Sequence, residues 1–317
     1  MTKQKSHSFH NTIIREYDIR GVYNETLFDN DAEILGNLFG LEVGKNKTVN
    51  VGYDGRLSSV KLKKKLVKGL IDSGVNVNEI GLVPTPLLYY SCCELVADGG
   101  IIVTGSHNPK NHNGFKIVLN DKPFFGSNLA ELSKKAKKFN LKKMNGVVKK
   151  FNLMDRYVKR LIKNFNQKKR INIIWDSGNG AAGDVMKALA ENIDGKYELL
   201  FSEIDGTFPN HHPDPSEPKN LVFCKNRLLD LKYNVGFAFD GDGDRLGVID
   251  DKGRAISGDK LLLLLAKEML KSTKCKVIAD VKCSQVLFDE VERLGGQIFM
   301  CKTGHSHVKN NLKKLNA

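Results

Sequence analysis

The chain contains no run of about eighteen apolar residues, and its opening, Met1-Thr2-Lys3-Gln4-Lys5, has no apolar signal core. Both absences argue against a membrane span and a secretion signal and set the expectation of a cytoplasmic protein. The 6 cysteines, Cys92, Cys93, Cys224, Cys275, Cys283 and Cys301, never fall at C-x-x-C spacing. They read as reduced thiols rather than as a disulfide framework or a zinc site. Aromatic residues make up only 8% of the chain and form no stacking pattern among the lysines that crowd 61–65, 134–138, 142–150 and 159–170. Without that pattern or a recognised nucleic-acid-binding motif, the basic runs read as solvated helix faces rather than a nucleic-acid surface. The net charge of +14 would still help to draw in a polyanionic substrate.

What is present is ordinary for a globular protein: 41% hydrophobic and 27% charged residues, in 317 residues, enough for two or three domains. Apolar runs predict strands at 48–52, 75–82, 99–103, 113–119, 171–175, 235–239, 276–281 and 297–302. Helical patterns fall between them, among them 31–44, 58–73, 127–138, 154–165, 259–270 and 307–315. This alternation predicts an α/β protein with a parallel sheet covered by helices. Residues 1–12 read as a polar, poorly ordered start, and the lysine run 142–150 as a domain boundary.

Chemistry concentrates in the loops. The run 235–239 leads into Asp240-Gly241-Asp242-Gly243-Asp244-Arg245. Carboxylates at i, i+2 and i+4 share one side of an extended chain, and the glycines let it curl tightly. Like charges this close repel unless a cation joins them, and carboxylate oxygens suit a hard ion such as Mg²⁺. An EF-hand is excluded, because the sixth and twelfth positions hold Arg245 and Asp251 in place of Gly and Glu. An aspartyl nucleophile within the loop stays open.

The run 99–103 leads into Thr104-Gly105-Ser106-His107-Asn108-Pro109. Ser106 reads either as an exposed nucleophile with His107 as adjacent base, or as a turn-forming hydroxyl. Gly178-Asn179-Gly180-Ala181-Ala182-Gly183 fits G-x-G-x-x-G, with Glu203 where a ribose-binding carboxylate would stand. That pattern supports an alternative, an NAD-dependent oxidoreductase, against glycines that simply turn a strand into a helix. His211 and His212, adjacent on a proline-dense loop, diverge and read as structural rather than as metal ligands. The serine, glycine-rich and triple-aspartate loops, and Thr303-Gly304-His305-Ser306 after the run 297–302, each follow the C-terminal end of an apolar strand, where open α/β sheets place their ligand sites.

Taken together, T-G-S-H-N-P at 104–109 and D-G-D-G-D-R at 240–245 resemble the α-D-phosphohexomutase family. E-Y-D-I-R-G at 16–21, D-V-K-C at 280–283 and K-T-G-H-S at 302–306 are similar to its bacterial phosphomannomutase/phosphoglucomutase branch. The resemblance covers nearly the whole chain. It implies consecutive similar α/β domains with mixed, mostly parallel sheets covered by helices. They would divide as 1–148 with the phosphoserine loop, 149–252 with the metal loop, and 253–317 as part of a third domain contacting sugar phosphate. It also makes G-N-G-A-A-G a turn of the second domain.

The activity so implied interconverts hexose 6-phosphate and hexose 1-phosphate, of mannose or glucose, through a phosphoserine at Ser106 and a bisphosphate intermediate. Asp240, Asp242 and Asp244 would hold Mg²⁺, with an oxygen on Ser106 as a further ligand. Arg245 would donate to phosphate oxygens. Arg20 and Lys116 would orient the reacting hydroxyl or take its proton, and His107 would position the serine loop. Tyr17, Lys282 and His305 would contact the sugar phosphate. Family members also carry a G-E-x-S-G sugar-recognition loop and a fourth domain gripping the substrate, neither of which stands in this sequence. Little or no turnover is therefore expected of this chain alone, and a non-catalytic sugar-phosphate-binding remnant remains an alternative.

Overall fold

The strand Gly99–Val103 is buried at every position, as a strand covered on both faces must be. Ile101 and Val103 enter the core on one face and Ile102 the core on the other, following the period-two alternation of side chains. The computed structural model describes residues 2–163, 165 and 169–317, apart from the side chains of residues 2, 3, 305 and 306.

The first sheet is ordered Ile19–Val22, His112–Leu119, Gly99–Val103, Thr48–Tyr53, Asn76–Leu82 and Val148–Lys150, with Lys122–Pro123 also against His112–Leu119. Thr48–Tyr53 runs parallel to both neighbours, and His112–Leu119 antiparallel to its own. Asp29–Val43, Ser59–Asp72 and Ser127–Ala136 supply Leu35, Phe39, Leu66 and Leu132 to the core on one face. Thr85–Glu94 and Met154–Ile162 cover the other face with Leu87, Leu88 and Tyr157. Val185, from the helix Gly183–Asn192 beside the second sheet, joins that same core, so the first two units share buried apolar surface.

The second sheet is ordered Gly195–Leu200, Ile171–Asp176, Val235–Phe239, Leu246–Asp250 and Ala255–Ile256. It is parallel over its first three strands and antiparallel beyond. The last unit pairs Lys276–Asp280 with Gln297–Cys301 in parallel and ends in the helix His305–Leu315. All three units are thus α/β, with mixed sheets in the first two. Among the described residues no helix is long and apolar enough to cross a membrane.

Two local expectations need correction. The start is not loose: Thr2–Lys5 pairs antiparallel with Phe139–Lys142, and Phe9 is buried in the first core. An apolar partner strand far along the chain, with Phe139 and Leu141 buried, captures a segment whose own residues are polar. The helix expected over 154–165 ends at Ile162; residue 164 of that prediction, and 166–168 of the lysine run, lie outside the described residues.

Candidate active site

The loops after the parallel strands of the first and second sheets meet. Strand Val235–Phe239 ends in a turn closed by Gly243 N–H donating to Asp240 O at 2.9 Å. Gly243 adopts φ +71 there, in the left-handed region that glycine reaches without strain. A Cβ on Gly241 would stand 2.5 Å from Ser106 O, so the absence of a side chain lets the serine loop settle directly on the acidic loop.

That contact delivers Ser106 to the carboxylates. Ser106 Oγ donates to Asp240 Oδ2 at 2.7 Å, and His107 Nδ1 lies 3.2 Å from the same Oγ. Ser106 itself holds φ +50, a strained conformation for a residue with a side chain, of the kind that persists only where surroundings impose it. Burial, helped by the positive charges of Arg245 and Arg20, pushes the His107 imidazole down to about 4, so it is neutral at neutral pH.

One ligand atom from each of Asp240, Asp242 and Asp244 lies within 4.8 Å of the others. Asp240 Oδ1 accepts the N–H groups of Asp244 and Arg245, each at 3.0 Å. Asp242 Oδ2 accepts from Thr85 Oγ1 at 2.5 Å and from Lys116 Nζ at 2.7 Å. Lys116 also pairs with Asp244 at 2.5 Å. Burial works against the Lys116 charge, yet the Asp242, Asp244 and Asp240 carboxylates hold its ammonium above the ordinary range. Burial, then repulsion by Asp242 and Asp244, raises Asp240 well above its usual value. Burial opposes ionisation of Asp242 too, but Lys116 holds it below the carboxylate range.

Three acids therefore crowd around one ammonium, and Asp242 Oδ1 is buried without a hydrogen-bond partner. An orphaned carboxylate oxygen beside two further carboxylates is the donor set of a hard divalent cation. These residues fit one.

The cleft above this cluster has a volume of about 740 Å³ and is lined by Tyr17, Arg20, Ser106, His107, Lys116 and Arg245 among others. Arg20 is buried, donates to Gly105 O at 2.9 Å and pairs with Asp18. Arg245 is half-exposed, 4.0 Å from Asp214. Tyr17 Oη donates across the cleft to Thr303 O at 2.7 Å. Lys282 is exposed on the loop after Lys276–Asp280 and is absent from the residues lining the cleft. The side chain of His305 lies outside the described residues.

The framework under the serine loop escaped the sequence reading. Arg56 is fully buried and donates to four carbonyls of residues 106–112: Ser106, Asn108 and Pro109 at 2.7, 2.7 and 2.6 Å, and His112 at 3.0 Å. Asp54 pairs with Arg56 at 3.2 Å and accepts Thr104 Oγ1 and Gly105 N–H. Their signal was available, since Asp54-Gly55-Arg56 also follows a buried parallel strand. Thr85, after Asn76–Leu82, obeys the same rule.

The oxidoreductase alternative fails on geometry. Ala181 N–H donates to Gly241 O at 2.9 Å and Asn179 N–H to Phe201 O at 2.9 Å, within a run buried from 178 to 183. Donors needed for a pyrophosphate are spent on the acidic loop and the neighbouring strand end, and the Glu203 carboxylate pairs with Lys187 at 2.7 Å.

Residues 11–143, 155–253 and 257–317 match, in order, the family models for phosphoglucomutase/phosphomannomutase alpha/beta/alpha domains I, II and III. The chain belongs to the phosphoglucomutase/phosphomannomutase family. A phosphomannomutase/phosphoglucomutase of Pseudomonas putida is 41% identical over 306 residues, covering 96% of this chain and 66% of that protein. A phosphoglucomutase of Neisseria meningitidis is 38% identical over 94% of this chain and 66% of its own length. The crystal structure of a phosphoglucomutase/phosphomannomutase family protein from Burkholderia thailandensis superposes with a TM-score of 0.91 at 39% identity, covering 96% of this chain and 69% of that one. The chain spans just under two thirds of the length of the first two of these relatives.

Proposed function

We propose that this chain carries the phosphoryl-transfer centre of a phosphohexomutase, with Ser106 as the group that takes up and returns the phosphoryl. The observation that supports this most is the 2.7 Å contact of Ser106 Oγ with Asp240 across the junction of two units. A hexose phosphate, of mannose or glucose, enters the cleft. A sugar hydroxyl attacks phosphorus on phosphoserine, the P–Oγ bond breaks, and the hydroxyl proton leaves to a base; Ser106 Oγ is then free to receive the sugar's other phosphoryl group. Asp240, Asp242 and Asp244 are the residues that would hold Mg²⁺, which when bound neutralises charge on the transferred oxygens.

The chain's own groups do the rest. Asp240 Oδ2 receives the hydroxyl proton of unmodified Ser106. With that single proton committed, the neutral His107 faces Oγ as a positioning donor. Lys116 and Arg20 border the same cleft and supply cationic donors to the phosphoryl oxygens. Arg245 and Tyr17 stand at the rim, where the sugar phosphate enters. The serine needs no rearrangement to meet its acidic partners, and such preorganisation is where most phosphoryl-transfer catalysis comes from.

Incubation with glucose 1,6-bisphosphate and Mg²⁺, followed by intact-mass measurement, tests the reading. One phosphoryl group is expected on the wild-type chain and none on Ser106→Ala. A non-catalytic sugar-phosphate binder would bind the bisphosphate without acquiring that mass, and equal labelling of both proteins would place the acceptor elsewhere.

A further inference from the structure

Two cations of the cleft, Arg15 and Lys309, stand outside every motif considered so far, and Lys309 is the one carried by the third unit. Lys309 lies on the helix His305–Leu315 and lines the cavity together with Ser106, Lys116 and Asp244. Its Nζ sits 3.9 Å from the centre of the Tyr89 ring, and among the described residues it forms no ion pair with a carboxylate. Its neighbours already hold carboxylates, Lys116 pairing with Asp242 and Asp244 and Arg20 with Asp18, though among the described residues Arg20 Nε keeps a free donor. An aromatic face attracts an ammonium through the ring quadrupole without using its N–H donors. Lys309 is therefore held in place with its donors uncommitted. Burial pushes its ammonium below the ordinary lysine value, and Asp244 only partly opposes this.

The helix that carries Lys309 is clamped onto the first unit at several points. Tyr17 Oη bonds Thr303 O at 2.7 Å just before it. His307 Nε2 lies 3.0 Å from Glu16 Oε1, and its ring meets Tyr17 and Phe125 edge-on at 5.6 and 5.9 Å. Lys313 Nζ donates to Asp121 O. These contacts fix Lys309 over Tyr89, a residue of the first unit, and bring a third-unit charge into a cleft whose serine and acids come from the other two.

We propose that Lys309 binds the phosphate of the sugar substrate, with Tyr89 as its platform. A phosphate oxyanion supplies the counter-charge that this half-buried ammonium lacks, and its oxygens take up the free N–H donors. The proposal rests on the hexose-phosphate reading of the site.

Calorimetric titration of glucose 1-phosphate into Ser106→Ala separates binding from transfer. Adding Lys309→Met is expected to raise Kd about tenfold or more, the scale of a charge-assisted hydrogen bond, with the melting temperature unchanged. Lys309→Arg, which keeps the charge, is expected to stay within about threefold of the parent. Unchanged Kd in the methionine variant, while the parent binds glucose 1-phosphate, overturns the role of Lys309 and leaves the functional reading intact. Equal losses in the Met and Arg variants mark a packing role and overturn it as well. No binding by the parent overturns both.

Discussion

His211 shows how a residue that sequence reasoning set aside acquires a task. Its Nε2 lies 3.0 Å from Asp176 and its Nδ1 2.9 Å from His212 O, so both ring nitrogens face acceptors and the doubly protonated ring suits the site. Burial opposes that charge, but Asp176 prevails and the imidazole is raised above its ordinary value. Because the folded value exceeds the unfolded one, the stabilisation is complete below about pH 6.5. It is lost as pH rises through the folded value. Amide-exchange protection across 208–215, taken relative to the intrinsic rate at each pH, is expected to fall above that range in the wild type by about 1 kcal/mol. His211→Gln should abolish the pH dependence of that protection; an identical protection profile in the variant would remove this role from His211.

At the scale of elements, the decisive contact is loop on loop. Gly241→Ala would drive a Cβ into Ser106 O at 2.5 Å, and the backbone of both loops is held by other bonds. Arg56 grips one side through its carbonyls, and Thr85 N–H holds Asp242 O at 2.8 Å on the other. Separating the loops by about 1 Å should slow phosphorylation of Ser106 by about 10²-fold, with the secondary structure intact. A quench-flow measurement with glucose 1,6-bisphosphate checks this, and a rate near that of the wild type would show the loops to be more compliant than their packing implies. The acidic loop was legible in the sequence because its side-chain alternation and glycine turns act within five residues. The place of Arg56 after a buried strand was legible too, but its partners were not, because they are carbonyls of residues 106–112, some fifty positions away. The polar start was misread for the same reason, since its partner strand lies beyond position 138.

Over the whole molecule, 50 basic residues outnumber 36 acidic ones, a balance that favours the approach of the anionic substrate proposed above. Long-range attraction of this kind acts mainly on association and is screened by salt. The association rate of glucose 1,6-bisphosphate is therefore expected to fall about tenfold or more as ionic strength rises from about 0.01 to 0.15 M. Stopped-flow binding measures this, and a salt-independent rate would confine the role of charge to the cleft itself. At the same scale, three units line one cleft: Ser106 and Lys116 come from the first, Asp244 from the second and Lys309 from the third.

The sequence by itself determined the alternation of strands and helices, the family, and the loops that carry a hydroxyl and three carboxylates. Those features rest on hydrophobic period, turn chemistry and short spacings, which are local properties. Only the tertiary structure decided that Lys116 spans Asp242 and Asp244 from 126 and 128 positions away, and that Tyr17 reaches Thr303 across 286. It also decided that Lys309 stands over Tyr89 and that Gly178–Gly183 packs against the acidic loop, its Ala181 N–H spent on Gly241 O. Bonds of that span depend on how folded units close upon one another, and no pattern within a single segment encodes the closure.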